Sequence, residues 1–246
     1  MTKKKTVKNT AKKTNDGVFD FENYNFTVKS TFKLTEKQIN VLKICQKPST
    51  KMIILDGLAG TGKTTLSMQI ALEKLRDKKV GGITALRSTI QSKDGDTGFL
   101  PGSWEEKGQF LGNPFLQKMD ELVKPNDKEI ISKHLFDFLP SSFIRSYSLR
   151  NECIILSEAQ NVFFETIFLC ATRVGEGSFI IIEGDSIMQN DIGKRSGFKD
   201  FCNMYNDEES RERGIYYFQF DEDDIVRSDL VQYLVSKRLY WDQKKT

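Results

Sequence analysis

Long apolar runs are missing from this chain. Its longest stretches, such as Met52–Leu55 and Phe179–Ile182, fall far short of the roughly twenty residues that span a bilayer, so no membrane-crossing helix is expected. Cysteine is sparse: Cys45, Cys153, Cys170 and Cys202 lie far apart with no C-x-x-C pair, and His134 is the single histidine. That scarcity argues against a structural zinc site and histidine-based catalysis, and it fits a reducing compartment. A charged-then-apolar leader with a small-residue cleavage site is also lacking, so secretion has no support and a soluble cytoplasmic protein is expected. With 38% hydrophobic and 29% charged residues over 246 positions, the chain is neither collagenous nor disordered, and it can bury a core.

Acid is absent from residues 1–15, which hold Lys3, Lys4, Lys5, Lys8, Lys12 and Lys13. The formal net charge of +3 therefore hides a basic tail and a body carrying 31 basic against 34 acidic side chains. The tail reads either as a solubilising leader or as a weak, salt-sensitive grip on nucleic acid. Residues 1–30 are expected to form a disordered basic tail and residues 31–246 a single domain.

Beyond Leu34, apolar β-type runs alternate with helix-type stretches. Strands are expected at Lys51–Asp56, Gly82–Leu86, Phe143–Tyr147, Cys153–Leu156, Phe179–Glu183 and Tyr216–Phe220. Helices are expected at Thr64–Arg76, Phe115–Val123, Lys128–Phe138, Phe163–Arg173 and Asp229–Leu239. Such alternation implies βαβ units, hence an α/β fold with a mostly parallel sheet covered by helices on both faces. Residues 88–114 interrupt it with a long loop rich in glycine, and Phe99 and Trp104 within it are the better candidates for stacking on bases.

The sharpest signal is Gly57-Leu58-Ala59-Gly60-Thr61-Gly62-Lys63-Thr64, followed by Thr65, which fits G-x-x-x-x-G-K-[ST] at every fixed position. Small residues let a tight loop aim successive backbone N–H groups at phosphate oxygens. Lys63 then reaches the β- and γ-phosphates and the Thr64 hydroxyl takes magnesium. The loop follows an apolar run and opens an amphipathic stretch, as this chemistry requires, so binding of a nucleoside triphosphate with Mg²⁺ is expected. No G-x-G-x-x-G spacing accompanies it, which excludes a dinucleotide site of that kind.

Cys153–Gln160 (CIILSEAQ) is an apolar strand ending in a polar cluster, where a second motif would deliver a magnesium carboxylate and a water-activating glutamate. Glu158 is the candidate base, and Ser157 stands where an aspartate is expected. Ile180–Gln189 repeats the pattern: a strand ends in Gly184-Asp185, and Gln189 follows, so Asp185 and Gln189 could hold the attacking water and sense the γ-phosphate. The acidic run Asp221–Asp224 reads as a solvated turn rather than a metal site.

In this order, these segments resemble the PhoH-like family, whose ATPase domain is similar to the first motor domain of superfamily 1 helicases and has a RecA-like P-loop fold. The likeness covers about Phe32 to Leu239. Thr35–Gln38 resembles the helicase Q motif, which implies that Gln38 contacts adenine, and Gly57–Thr65 matches the family's Walker A loop. Arg87, Gly98–Gly102 (GFLPG), Thr172-Arg173-x-Gly175, Gly184-Asp185-x-x-x-Gln189, Ser196–Phe198 and Ile225–Arg227 match further family blocks. The resemblance implies a homo-oligomer, a hexameric ring, acting on RNA or single-stranded DNA. A single motor domain would take its catalytic arginine from a neighbouring subunit, with Arg173 and Arg227, then Arg195, as candidates. Ser157 departs from the family's aspartate. A serine can bond a magnesium-bound water but brings no charge, so slow turnover is expected. Asp185 is the next carboxylate to consider, and Ser157→Asp is expected to raise kcat. The alternative is a slow or inactive ATP-binding regulatory or assembly protein. A small-molecule kinase is disfavoured by Glu158 and the Gly-Asp block.

Overall fold

The computed structural model describes residues 13–14, 17–30, 33–88, 104–188 and 191–244. Gln189, the GFLPG string, Phe99 and the side chain of Trp104 lie outside the described residues. Six strands pair in parallel: β1 (Met52–Gly57), β2 (Gly82–Arg87), β3 (Phe136–Pro140), β4 (Glu152–Ser157), β5 (Phe179–Gly184) and β6 (Ile215–Phe220). Their spatial order is β3-β2-β4-β5-β1-β6. The helices are α1 (Glu36–Gln46), α2 (Lys63–Arg76), α3 (Trp104–Leu122), α4 (Pro125–His134), α5 (Phe164–Thr172), α6 (Phe198–Met204), α7 (Glu208–Glu212) and α8 (Asp229–Gln243).

Successive side chains of a strand point to opposite faces, so residue parity decides which layer each joins. Ile53, Leu55, Cys153, Ile155, Phe179 and Ile181 pack with Leu66 and Ile70 of α2, Phe115 of α3 and Ile131 of α4. Ile54, Ile154, Leu156, Ile180 and Ile182 pack on the other face with Ile167 of α5 and with Phe198 and Phe201 of α6. Burial on both faces explains why these strands read as continuous apolar runs. At about 1.5–3 kcal/mol per large apolar side chain, the two layers supply most of the driving force for folding. The expected α/β fold with a covered parallel sheet is the observed one, with every strand pair of the six parallel.

Three segments differ from the expectation. Residues 104–114, expected inside the long loop, instead open helix α3, which runs through Pro114 against local preference. Lys128–Phe138 is not one helix: α4 ends at His134, and Phe136–Pro140 leaves it as strand β3. Ile131, Leu135 and Phe138 keep a helical spacing, but the edge of β2 pairs with residues 136–140 throughout, and that tertiary pairing outweighs local preference. Phe143–Tyr147 is not a strand. Residues Ser141–Ser146 form a 3-10 turn because β3 already occupies the edge beside β2, and of its apolar residues Ile144 is buried while Phe143 is exposed.

The tail boundary also moves. Lys13–Thr14 and Gly17–Val18 make a short antiparallel ribbon, and residues 19–30 pack on the body instead of trailing as disordered chain. Phe26 is buried, Phe19 stacks on His134 with ring centroids 4.7 Å apart, and the Tyr24 hydroxyl donates to Asp127 at 2.9 Å. Aromatic content, not charge, decides the fate of this stretch.

The crossover from β5 to α6 returns tightly over the start of α5. A Cβ on Gly197 would lie 2.1 Å from the Phe164 backbone nitrogen, and the Gly197 N–H donates to Val162 O at 3.1 Å. Gly197→Ala is therefore expected to cost about 2–3 kcal/mol, as overpacking against immovable backbone does. Urea denaturation monitored by circular dichroism would show it as a lower midpoint at an unchanged slope.

Candidate functional site

Strand β1 delivers Gly57 to the C-terminal edge of the sheet, and the chain turns through residues 58–62 into α2. Gly60 (φ 89°) and Gly62 (φ 71°) take left-handed conformations that glycine adopts without steric cost. Gly62 caps α2 with no side-chain acceptor, so the first-turn N–H groups and the positive end of the helix face the loop. Lys63 Nζ donates to the carbonyls of Gly57 (2.7 Å) and Leu58 (3.1 Å), lying back across its own loop. Burial lowers its proton affinity, and the carboxylates of Glu183, Asp185, Glu158 and Asp56 pull in the opposite direction.

Two outside segments brace the loop. Gln38, fully buried in the first turn of α1, donates from Nε2 to Thr61 O at 2.9 Å, while its Oε1 accepts from the Thr35 N–H at 3.0 Å. The Val226 N–H donates to Gly60 O at 3.1 Å. These two segments are themselves joined: Thr35 Oγ1 donates to Asp224 Oδ1 (2.7 Å), and Lys37 Nζ reaches Asp224 Oδ2 (2.9 Å) and Asp221 Oδ2 (2.5 Å). The Asp221–Asp224 run is thus a capped turn that anchors α1. Both ends of the Gln38 amide are engaged within the protein.

The carboxylates arrive from β4 and β5. Glu158 follows the last residue of β4 with φ 56° and ψ 41°, a conformation that costs a non-glycine residue about 1–2 kcal/mol and turns the chain at the strand end. Its Oε2 accepts from Gln160 Nε2 at 2.6 Å, and Gln160 Oε1 accepts from the Asp185 N–H at 3.1 Å, so Gln160 links the ends of β4 and β5. Arg87 at the end of β2 lies 3.9 Å from Glu158 Oε1. Asp185 Oδ1 accepts from the N–H groups of Ile187 (2.9 Å) and Met188 (2.8 Å), and its Oδ2 is buried without a partner. Burial raises the Asp185 pKa against those two bonds and against Lys63.

Beside them stands a residue that sequence reasoning passed over. Glu183, 1% exposed, accepts at Oε1 from Thr64 Oγ1 (2.9 Å) and Ser157 Oγ (2.7 Å), and at Oε2 from Ser67 Oγ (2.6 Å). Burial raises its pKa, while the bonds from Ser67, Ser157 and Thr64 and the charge of Lys63 lower it. Parity explains the meeting: Ser157 and Glu183 share the face that carries α2, and Leu156 pairs with Ile182 one step earlier. In sequence the only hint was a charged residue closing an otherwise apolar β5.

Lys63, Thr64, Glu158, Gln160, Glu183 and Asp185 line one cleft of about 840 Å³, together with Pro114, Gln117 and Lys118 from α3 and with Arg227. The α3 wall also had no motif to announce it. Arg227 lies beside its own chain's phosphate loop. Arg173 does not: it ends α5, and its carbonyl accepts from the Leu149 N–H ahead of β4, at the opposite edge of the sheet. Arg195 lies exposed with its guanidinium 5.8 Å from the Phe163 ring. The oxygen donors near Thr64, a hydroxyl and buried carboxylates with no thiolate or imidazole among the cleft residues, are of the kind magnesium takes. No cluster of three or more His, Cys, Asp or Glu suited to a protein-only metal cage occurs among the described residues.

Removing Gln38 would strip partners from the Thr61 carbonyl and the Thr35 N–H. Gln38→Ala is expected to cost about 1–3 kcal/mol of stability and to weaken ATP and GTP binding alike. Thermal melts with parallel nucleotide titrations check this. A loss confined to ATP, at unchanged stability, would instead assign Gln38 to the adenine.

Residues 31–238 match a family model described as PhoH-like protein. Among curated proteins, the chain is 33% identical to Protein PhoH of Escherichia coli K12 over 80% of its own length and 55% of that protein's. It is 33% identical to a PhoH-like protein of Mycobacterium tuberculosis over 73% of its length and 50% of that protein's. A PhoH-like protein of Synechocystis is 28% identical, over 82% and 60% of the two chains. The chain thus spans roughly half to three-fifths of the relatives it matches. Among solved structures, it is similar to a Sulfolobus solfataricus SWI2/SNF2 ATPase core in complex with dsDNA (TM-score 0.44, 11% identity, 82% of this chain and 47% of that one). It is also similar to the Pif1 helicase of Candida albicans (TM-score 0.35, 16% identity, 77% and 40%). At such scores the likeness bears on neither activity nor partner. The family match covers most of the chain, and the protein belongs to the PhoH-like family.

Proposed function

We propose that this PhoH-like chain is a magnesium-dependent ATPase that works on or with RNA or single-stranded DNA as an oligomeric ring. One observation carries the reading: the phosphate loop with Lys63 and Thr64 opens into the same cleft as Glu158, whose strained backbone aims its carboxylate across that cleft. The loop N–H groups, Lys63 and the start of α2 bind the phosphates, and Lys63 must exchange the Gly57 and Leu58 carbonyls for phosphate oxygens to do so. Glu158, held by Gln160, orients and deprotonates the attacking water. Asp185 follows the γ-phosphate from the end of β5, a role that the family motif extends to Gln189. Magnesium, when bound, shields the phosphate oxygens as charge develops.

Arg227, which lines its own chain's cleft, would act on that chain's nucleotide, whereas Arg173, on the far edge, would act on a neighbour's. An exposed apolar stripe on α8, formed by Leu230, Tyr233, Leu234 and Trp241, each more than half exposed, favours subunit contacts. The nucleic-acid part rests on Phe163, 41% exposed with Arg195 over its ring, at the cleft edge of the sheet, and on the lysine-rich first residues.

Lys63→Ala is expected to abolish measurable ATP binding in calorimetry. Glu158→Gln should still bind ATP while turnover falls about 10²- to 10⁴-fold, as loss of a general base does. Wild-type affinity in the lysine variant would remove the basis of the reading. A steady-state rate that is low, and indifferent to RNA and single-stranded DNA, would favour the regulatory alternative.

Subunit mixing separates the arginines. Glu158→Gln subunits mixed with Arg173→Ala subunits should regain activity at hybrid sites, since a trans arginine contributes about 10³-fold or more. The same mixture made with Arg227→Ala should not recover. Full ATPase activity in a strictly monomeric protein, by sedimentation and assay, contradicts the trans role.

A further inference from the structure

We propose that Glu183 of β5, and no residue of β4, is the carboxylate that holds the magnesium ion of the bound nucleotide. The proposal rests on the magnesium-nucleotide reading given above. It concerns which side chain does the holding.

Geometry is the first ground. Glu183 Oε1 is in hydrogen-bond contact with Thr64 Oγ1, the hydroxyl that a phosphate loop gives to magnesium, at 2.9 Å. A carboxylate there reaches the water molecules of an ion bound to Thr64. Ser157, in the position the family motif gives to aspartate, touches the same carboxylate oxygen at 2.7 Å and itself carries no charge. β5 lies between β1 and β4, so Glu183 stands on the α2 face next to both the strand that leads into the phosphate loop and the strand that leads into Glu158.

Electrostatics is the second. Glu183 is all but fully buried, and among the described residues no lysine or arginine nitrogen forms an ion pair with it within 4.0 Å. Three hydroxyls, and Lys63 from beyond ion-pair distance, stabilise its charge only in part. A buried carboxylate of this kind is completed by a cation, and it lines the cleft from which one would enter. Asp185 is a poorer fit: one oxygen is spent on the Ile187–Met188 turn, and neither contacts Thr64.

The third is mutual exclusion. An aspartate at 157 would put a second carboxylate within hydrogen-bonding distance of Glu183, and two such groups cannot both stay ionised. Serine at 157 is what lets the charge sit at 183. The site therefore has one metal carboxylate, on the strand next to the usual one. The slow turnover expected from Ser157 alone loses its premise.

The test reads metal use through binding. A fluorescent ATP analogue is titrated with purified protein, in EDTA and across a magnesium series, and each variant's thermal melt is recorded. Measured relative to its own affinity in EDTA, Glu183→Gln should need about 10- to 100-fold more magnesium for half-maximal enhancement of nucleotide binding, the usual cost of losing a group that holds a metal's outer shell. Moving the charge back with Ser157→Asp/Glu183→Thr should restore the requirement to within about threefold. Ser157→Asp alone should bring no gain. An unchanged magnesium requirement in Glu183→Gln, a failure of the double variant to restore it, or a shift seen in Asp185→Asn but not in Glu183→Gln overturns the assignment. Wild-type protein that binds no nucleotide with or without magnesium overturns the nucleotide reading itself.

Discussion

A carboxylate taken out of water has to be compensated where it sits, and at Glu183 the compensation comes from three hydroxyls on two different elements. Thr64 and Ser67 are one turn apart on α2 and so share the face that meets the sheet, while Ser157 ends β4. The bonds from Ser67 and Ser157 are short enough to be charge-assisted, that from Thr64 is longer, and a partner lost would leave a buried acceptor short by about 1–3 kcal/mol. The cluster therefore fixes the phosphate-loop helix against β5 and β5 against β4. Glu158 is the next residue after Ser157, so its position relative to the phosphates is set by the same joint. Anything that draws the Thr64 hydroxyl toward a ligand must redistribute bonds that also locate β4.

A second network holds the loop from outside. Gln38 and Val226 each bond a loop carbonyl, and Thr35 and Lys37 tie their two segments together through Asp224. Asp224 is buried while the Lys37 side chain is 45% exposed, so solvent screens this ion pair in part and the part-buried Thr35–Asp224 bond carries the rest of the link. Chain that is remote in sequence thus converges on the phosphate loop: α1 from before it, and residues 221–227 from the far end of the fold. Arg227 follows directly on the segment bonded to Gly60, which explains why it lies in the cleft of its own chain.

The parts of this site that were legible in the sequence are those whose chemistry is local. The phosphate loop needs glycines, a lysine and a hydroxyl at fixed spacing, and all can be read within eight residues. Glu158 could be read because it ends an apolar run. Glu183 could not, because its meaning depends on Ser157, twenty-six positions away, and on the parity that puts both beneath α2. Ser157 was visible as a departure, but only strand order and parity bring Glu183 against it. In the fold, buried strands were legible from their unbroken apolar character. The edge strand β3 was not, since Ile131, Leu135 and Phe138 satisfy a helical pattern until the edge of β2 competes for them. Gln38 was found for its motif, yet its amide is committed to Thr61 and Thr35, a fact that no spacing could reveal.

The two edges of the sheet impose a further constraint on any arginine at the γ-phosphate. Helix α5 starts beside Val162 and Gly197, near the end of β4 that carries Glu158, and runs back across the sheet. Its nine residues rise about 13 Å, and Arg173 emerges where the backbone pairs with Leu149, ahead of the first residue of β4. Arg227 stays at the cleft edge because Val226 is bonded to Gly60. One cleft cannot use both arginines from one chain without unwinding α5 or detaching its end from Leu149. Either Arg173 serves only the fold, or the surface it occupies is presented to the cleft of another copy.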